Sequence, residues 1–191
     1  MRLISTIEVS PHEYDPDEYP TDLVPIYKDG WLFDISTISD NALIKILKTN
    51  LRDIDLRDFQ EQVSALSGGI ALERDNILYI TPGCCGDIGA IHDWQAMIES
   101  ENTVWQQLWI GHPWIYYRKN DCHVEFSDYT DENLHVLDHL QIRITVPRSD
   151  LQRELAHVRK EQCMFSERIK KTLESMGIQY AVEIAKLMTA D

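Results

Sequence analysis

The sequence has no long hydrophobic run. Its N-terminal stretch, MRLISTIEVSPHEY, is broken by Ser5, Thr6 and Glu8, and it is too short and too polar for a signal h-region or a membrane span. Export and membrane insertion are not expected, and the chain reads as cytoplasmic. A disulfide framework is missing too: of four cysteines, Cys84 and Cys85 are adjacent, Cys122 follows a turn and Cys163 lies in a long helical pattern. Neither CxxC nor HExxH occurs, no repeat or low-complexity tract is present, and no linker divides the chain. The expectation is one domain over residues 1–191, with 148–191 as its helical C-terminal segment.

Basic residues are scarce where most of the acids are. Residues 1–150 hold 26 Asp and Glu against 11 Lys and Arg, while 151–191 hold 6 against 7, and the whole chain carries a net charge of −14. Such a field repels phosphates and anionic lipid and speeds encounter with a basic protein, so nucleic acid and membrane are excluded as partners. The same charge also serves solubility alone. The most acidic short stretch, His12 to Asp22, has five acids, two prolines and no base, as an exposed loop would.

Periodicity supplies the elements. Residues 3–9 read as a strand, Leu23–Tyr27 and Trp31–Ile35 as a hairpin about Asp29-Gly30, and Ile70–Glu73 with Ile77–Thr81 as a second hairpin closed by Pro82. Ser39 or Asp40 caps a helix carrying Leu43, Ile44, Leu47 and Leu51, and Phe59 to Leu66 reads as another that stops at Gly68-Gly69. Ile91, Trp94, Ile98, Trp105 and Leu108 give a broken helical pattern. Strands follow at Trp114–Arg118, His123–Ser127 and Leu140–Val146. Ser149-Asp150-Leu151-Gln152 has the form of a capping box for a long helix with Leu151, Leu155, Val158, Phe165, Ile169 and Leu173 on one face, and Ile178–Met188 reads as a last helix. The class is α+β: a mainly antiparallel sheet built from hairpins, flanking helices and a long C-terminal helix. The near-heptad spacing over 151–175 suits core packing or pairing with a second copy.

Three constellations carry chemistry. Thr81-Pro-Gly-Cys-Cys-Gly-Asp87 sets two adjacent cysteines between glycines, and a thiol there with His92 or His112 as base and Asp87 as orienting group is a formal catalytic candidate. The alternative is a structural turn whose cysteines pack as small hydrophobes. The same histidines with Cys122 and His123 are zinc ligand types, but adjacent cysteines are awkward for a tetrahedral site, and no metal or other cofactor is expected. Trp94, Trp105, Trp109 and Trp114 either fill a core or line a pocket for a small ligand. Asp121, Glu125, Asp128, Asp131 and Glu132 form a second acidic cluster, which a basic partner could use as a docking face.

TPGCCGD, Trp94, WIGHPW at 109–114 and EFSDYT at 125–130 together resemble a module of small uncharacterised bacterial α+β proteins. In its acidic character the chain also resembles the immunity proteins of bacterial toxin systems. That resemblance covers residues 77–130, transfers no functional residue, and implies a binding role, a bacterial source and a cytoplasmic location. The function expected is thus capture of a basic protein partner through Asp15, Asp17, Glu18, Tyr19, Asp128, Tyr129, Asp131 and Glu132. The alternatives are a small-ligand sensor using the tryptophans and a cysteine-dependent enzyme using Cys84 or Cys85.

Overall fold

The structure, a computed structural model, describes residues 1–101, 103–136 and 139–191. It is α+β, with two four-stranded antiparallel sheets and a long C-terminal helix. The strands are β1 (Arg2–Glu8), β2 (Leu32–Asp34), β3 (Gly68–Arg74), β4 (Ile77–Ile80), β5 (Gln106–Leu108), β6 (Ile115–Lys119), β7 (His123–Ser127) and β8 (Ile142–Pro147). The helices are α1 (Asp40–Leu51), α2 (Phe59–Gln62), α3 (Ile91–Glu99), α4 (Arg148–Ser175) and α5 (Ala181–Thr189). One sheet has the order β2-β1-β3-β4 and the other β5-β6-β7-β8. The chain forms two compact units, Met1–Ser5 with Gly68–Arg159, and Thr6–Ser67 with Lys160–Asp191.

The first unit is built from alternation. Val124 and Phe126 of β7 pair with Val146 and Ile144 of β8, and all four are buried with Ile115 and Tyr117 of β6 in one apolar cluster. Trp94, Met97 and Ile98 of α3 and Leu151, Leu155 and Val158 of α4 complete it. Asp75 and Asn76 take φ values of 54° and 61° between β3 and β4, the left-handed pair that a tight hairpin turn requires.

In the second unit Ser39 caps α1 by accepting from the Ala42 N–H at 3.0 Å, and Leu43, Ile46 and Leu47 are buried. Phe165, Ile169 and Leu173 of α4 are also buried, as are Ile184 and Met188 of α5. Leu151, Leu155 and Val158 of the α4 stripe thus lie in the core of the first unit, and Phe165, Ile169 and Leu173 are buried as well. Arg168 donates to the carbonyls of Ile35 and Ile38 and to the Asp40 carboxylate.

Four elements differ from the sequence reading. Leu23–Tyr27 forms no strand beyond an isolated Pro25–Phe33 bridge, because Pro25 has no N–H and β2 takes its ladder from Thr6–Glu8 of β1. A turn forms one residue earlier than the expected Asp29-Gly30 turn: the Gly30 N–H donates to the Tyr27 carbonyl, so Lys28 and Asp29 are its central residues, with Asp29 at φ 59°. The helix expected over 59–66 shrinks to α2, since the Leu66 N–H donates to the Met188 carbonyl instead of extending a helix. Helix α3 stops at Glu99, and Trp105 and Leu108 belong to the β5 region, where Leu108 pairs with Ile115. Helix α4 starts at Arg148, one residue ahead of the expected Ser149 cap, because the Arg148 N–H already has a partner in the Cys122 carbonyl at 2.8 Å.

Candidate functional site

In the first unit the Gly83–Asp87 loop is zipped onto residues 110–112. The Gly83 N–H donates to the Ile110 carbonyl at 2.7 Å, and Cys84 and His112 exchange backbone bonds of 3.1 and 3.0 Å. This approach depends on glycine: a Cβ on Gly83 would lie 2.3 Å from the His112 carbonyl oxygen, and one on Gly111, at φ +89°, 2.3 Å from that of Cys84. Cys85 itself sits at φ 64°. Both thiols are exposed, as are those of Cys122 and Cys163.

The loop brings Cys84 and His112 together, though through the backbone. The Cys84 Sγ lies 3.5 Å from the carbonyl oxygen of His112. The group that orients the His112 ring is Asp131, 3.2 Å from Nε2, and the ring packs edge-on against Trp114. Trp114 and Thr130 exchange two backbone bonds of 2.9 Å, which hold Asp131 beside the histidine. Asp87, the orienting group expected from sequence, instead accepts from the Gly89 N–H at 2.7 Å and caps the turn leading into α3. His92 lies on α3 next to Asp93, whose carboxyl is raised by burial, lowered by His92 and raised by Asp87. A His112–Asp131 pair is chemically a base with its orienting carboxylate. Among the described residues no group of three or more His, Cys, Asp or Glu side chains is placed to hold a metal ion.

The second acidic cluster is largely engaged within the unit. Glu125 accepts from Arg118 at 2.8 Å, Asp128 from Arg143 at 3.1 Å, and Asp131 faces His112. Tyr129 acts as a clamp: its hydroxyl accepts from the Thr81 N–H at 2.7 Å, and Arg143 covers its ring at 5.0 Å. The Glu132 side chain is exposed, while its carbonyl accepts the Tyr116 hydroxyl. The tryptophans take separate places: Trp94 in the core, Trp105 under the Arg118 guanidinium, Trp109 exposed and Trp114 against His112.

In the second unit, residues 9–31 form a long excursion between β1 and β2, two strands that pair directly with each other. The excursion is anchored at several points. Tyr14 is buried edge-on to Tyr19, the Tyr19 carbonyl accepts from Lys45, the Ser39 hydroxyl donates to Asp22, and the Val9 N–H meets the Trp31 carbonyl. Between the anchors Glu13, Asp15, Asp17 and Glu18 are exposed and make no ion pair among the described residues. Val24, Tyr27 and Trp31 are exposed as well, at 73%, 42% and 41%, and His12 sits edge-on to Trp31. This apolar part of the loop was not singled out from sequence; three large hydrophobics beside an acidic run, after the prolines, were the available signal.

Burial pushes the Tyr14 phenol up to about 12; Glu13 adds to the shift, a hydrogen bond with Thr49 opposes it, and Tyr19 adds. An unfolded tyrosine titrates near ~10, so above that pH the unfolded chain releases a proton that the folded chain retains. Stability is therefore expected to fall as pH rises from about 10 through 12, and Tyr14→Phe should lessen the fall in urea unfolding curves taken across that range. Curves for the variant that track those of the parent would mean that Tyr14 ionises alike in both states.

No protein-family model, curated protein or solved structure gave a match to the chain. Among the described residues no helix is long and apolar enough to cross a membrane.

Proposed function

We propose that this chain is a cytoplasmic binding protein that captures a basic protein partner, in the manner of an immunity protein covering a toxin, and that residues 9–31 are its docking face. One observation carries the reading: the excursion between two directly paired strands combines four acids that make no ion pair among the described residues and three exposed large hydrophobics. Adjacent antiparallel strands need only about two residues to connect, and a connection of this length, with one short helical turn at Pro11–Glu13, is in compact units either functional or a linker. Apolar anchors ringed by charge are how a protein interface divides its work, with contact at the centre and steering at the rim.

The acids at 125, 128 and 131 support a lesser role. A partner would have to displace Arg118, Arg143 or His112 to pair with them, whereas Glu13, Asp15, Asp17 and Glu18 make no ion pair among the described residues, though Lys45 and Lys48 line a small pocket with Asp17 and Glu18. Asp121 and Glu132 make no ion pair among the described residues and provide the comparison for a test.

The experiment is an affinity pull-down at low salt with elution in a salt gradient, then association kinetics with the captured protein. The combined Glu13→Gln, Asp15→Asn, Asp17→Asn and Glu18→Gln variant should slow association roughly tenfold and flatten its salt dependence. Trp31→Ala should act on dissociation, and Asp121→Asn with Glu132→Gln should change little. An unchanged association rate in the four-site variant would sink the proposal.

A further inference from the structure

Elsewhere in the second unit, the turn Leu56–Asp58, α2 and Tyr180 line an open cleft of about 370 Å3. The lining is mainly polar but includes two aromatic rings, which form its floor. The rings of Phe59 and Tyr180 stack at 5.0 Å between centroids with 20° between planes; Phe59 is buried and Tyr180 is 52% exposed. Phe59 therefore backs the phenol ring while much of that ring stays open to solvent.

Three of the four charged residues in the lining are acidic. Asp58, Glu61 and Glu183 line the cleft and make no ion pair among the described residues. Arg57, the basic residue in the lining, is already held by Asp55, with Nε 3.0 and 3.2 Å and Nη2 2.6 Å from the carboxylate oxygens. An adjoining groove of about 450 Å3 shares Phe59, Gln60 and Glu183 and adds Leu187 and Ala190 with one cation, Lys186, and one further acid, Asp191.

We infer that this cleft binds an arginine side chain of an extended basic peptide segment, its guanidinium flat on Tyr180 and its N–H groups turned to Glu61 and Glu183. A planar, weakly hydrated cation gains from stacking on an aromatic face, and its fork of donors suits carboxylates at the rim; an ammonium gains less from such a floor. An uncharged aromatic ligand would take water from three carboxylates and return nothing. The adjoining groove gives space to the residues flanking the arginine. The inference stands on the cleft alone and does not depend on the docking role of residues 9–31.

Isothermal titration with an acetylated and amidated Gly-Arg-Gly-Arg-Gly peptide tests it, beside the same peptide carrying citrulline or lysine in place of arginine. Binding of the arginine peptide is expected, with no measurable heat from citrulline and weaker binding of lysine. Tyr180→Asn, which keeps a residue tolerant of the φ of 59°, should weaken the arginine peptide by about fivefold. Glu61→Gln with Glu183→Gln leaves the ring in place and should weaken it by roughly tenfold. The inference is overturned if the arginine peptide gives no heat, if citrulline binds equally, or if the four-site variant of residues 13–18 abolishes binding while both cleft variants retain it.

Discussion

Gly111→Ala is expected to lose roughly 3–5 kcal/mol of stability, against about 1 kcal/mol for Gly177→Ala. Both glycines have positive φ, +89° and +74°, so both substitutions incur the conformational cost of an L residue in that region. They differ in what the new methyl meets. At Gly177, after the end of α4, nothing lies within 4 Å. At Gly111 the methyl would fall 2.3 Å from the Cys84 carbonyl oxygen and 2.7 Å from that of Gly83, both backbone atoms that cannot rotate away. Relief requires parting the two loops, which breaks the Cys84–His112 pair of backbone bonds and the Gly83–Ile110 bond. Urea unfolding of the two variants checks this, and equal losses would mean that the loops part at little cost. Alkylation of Cys84 should also quicken in Gly111→Ala alone.

Much of the fold was legible where a local pattern and its partner lie close in sequence. The hairpin turn between Glu73 and Ile77 and the apolar alternation of 123–127 and 140–146 depend on neighbours and on a period of two; the turn forms at Asp75-Asn76, β7 appears where expected, and β8 begins at Ile142, leaving Leu140 outside it. The losses have a common cause. Gln106 and Gln107 carry no strand signal and form β5 only because β6 offers an edge. Val63 to Leu66 leave the helix because the α5 carbonyl of Met188, far along the chain, takes the Leu66 N–H. The boundary between the two compact units passes between Ser5 and Thr6 inside β1 and between Arg159 and Lys160 inside α4, where no linker composition marks it.

The sites follow the same rule. That Glu125 faces Arg118 is readable once the β6–β7 hairpin is drawn, since the two residues are direct partners in its register. That Asp131 faces His112 is not, because it needs the isolated Trp114–Thr130 bridge. The acids at 13–18 were visible as composition, but their lack of ion pairs depends on which cations the fold brings near. The Phe59–Tyr180 pair joins the two separate sequence segments of the second unit and left no local trace.

Trp94 separates two contributions to the core of the first unit. The residue is fully buried and its ring lies 5.6 Å from that of Phe126, yet its Nε1–H has no hydrogen-bond partner among the described residues. Trp94→Ala empties the centre of the cluster and should cost about 3–5 kcal/mol, a large share of the ~5–15 kcal/mol that holds a typical domain together. Trp94→Phe keeps an aromatic ring against Phe126 and removes a buried donor whose desolvation costs about 1–3 kcal/mol. The smaller ring leaves a cavity whose cost is of the same order, so the two effects should cancel to within about 1 kcal/mol. Urea unfolding of both variants, followed by far-ultraviolet circular dichroism, decides the matter. If Trp94→Phe proves as damaging as Trp94→Ala, the indole N–H has a partner such as a buried water molecule, and the centre of this core is polar where the packing alone makes it dry.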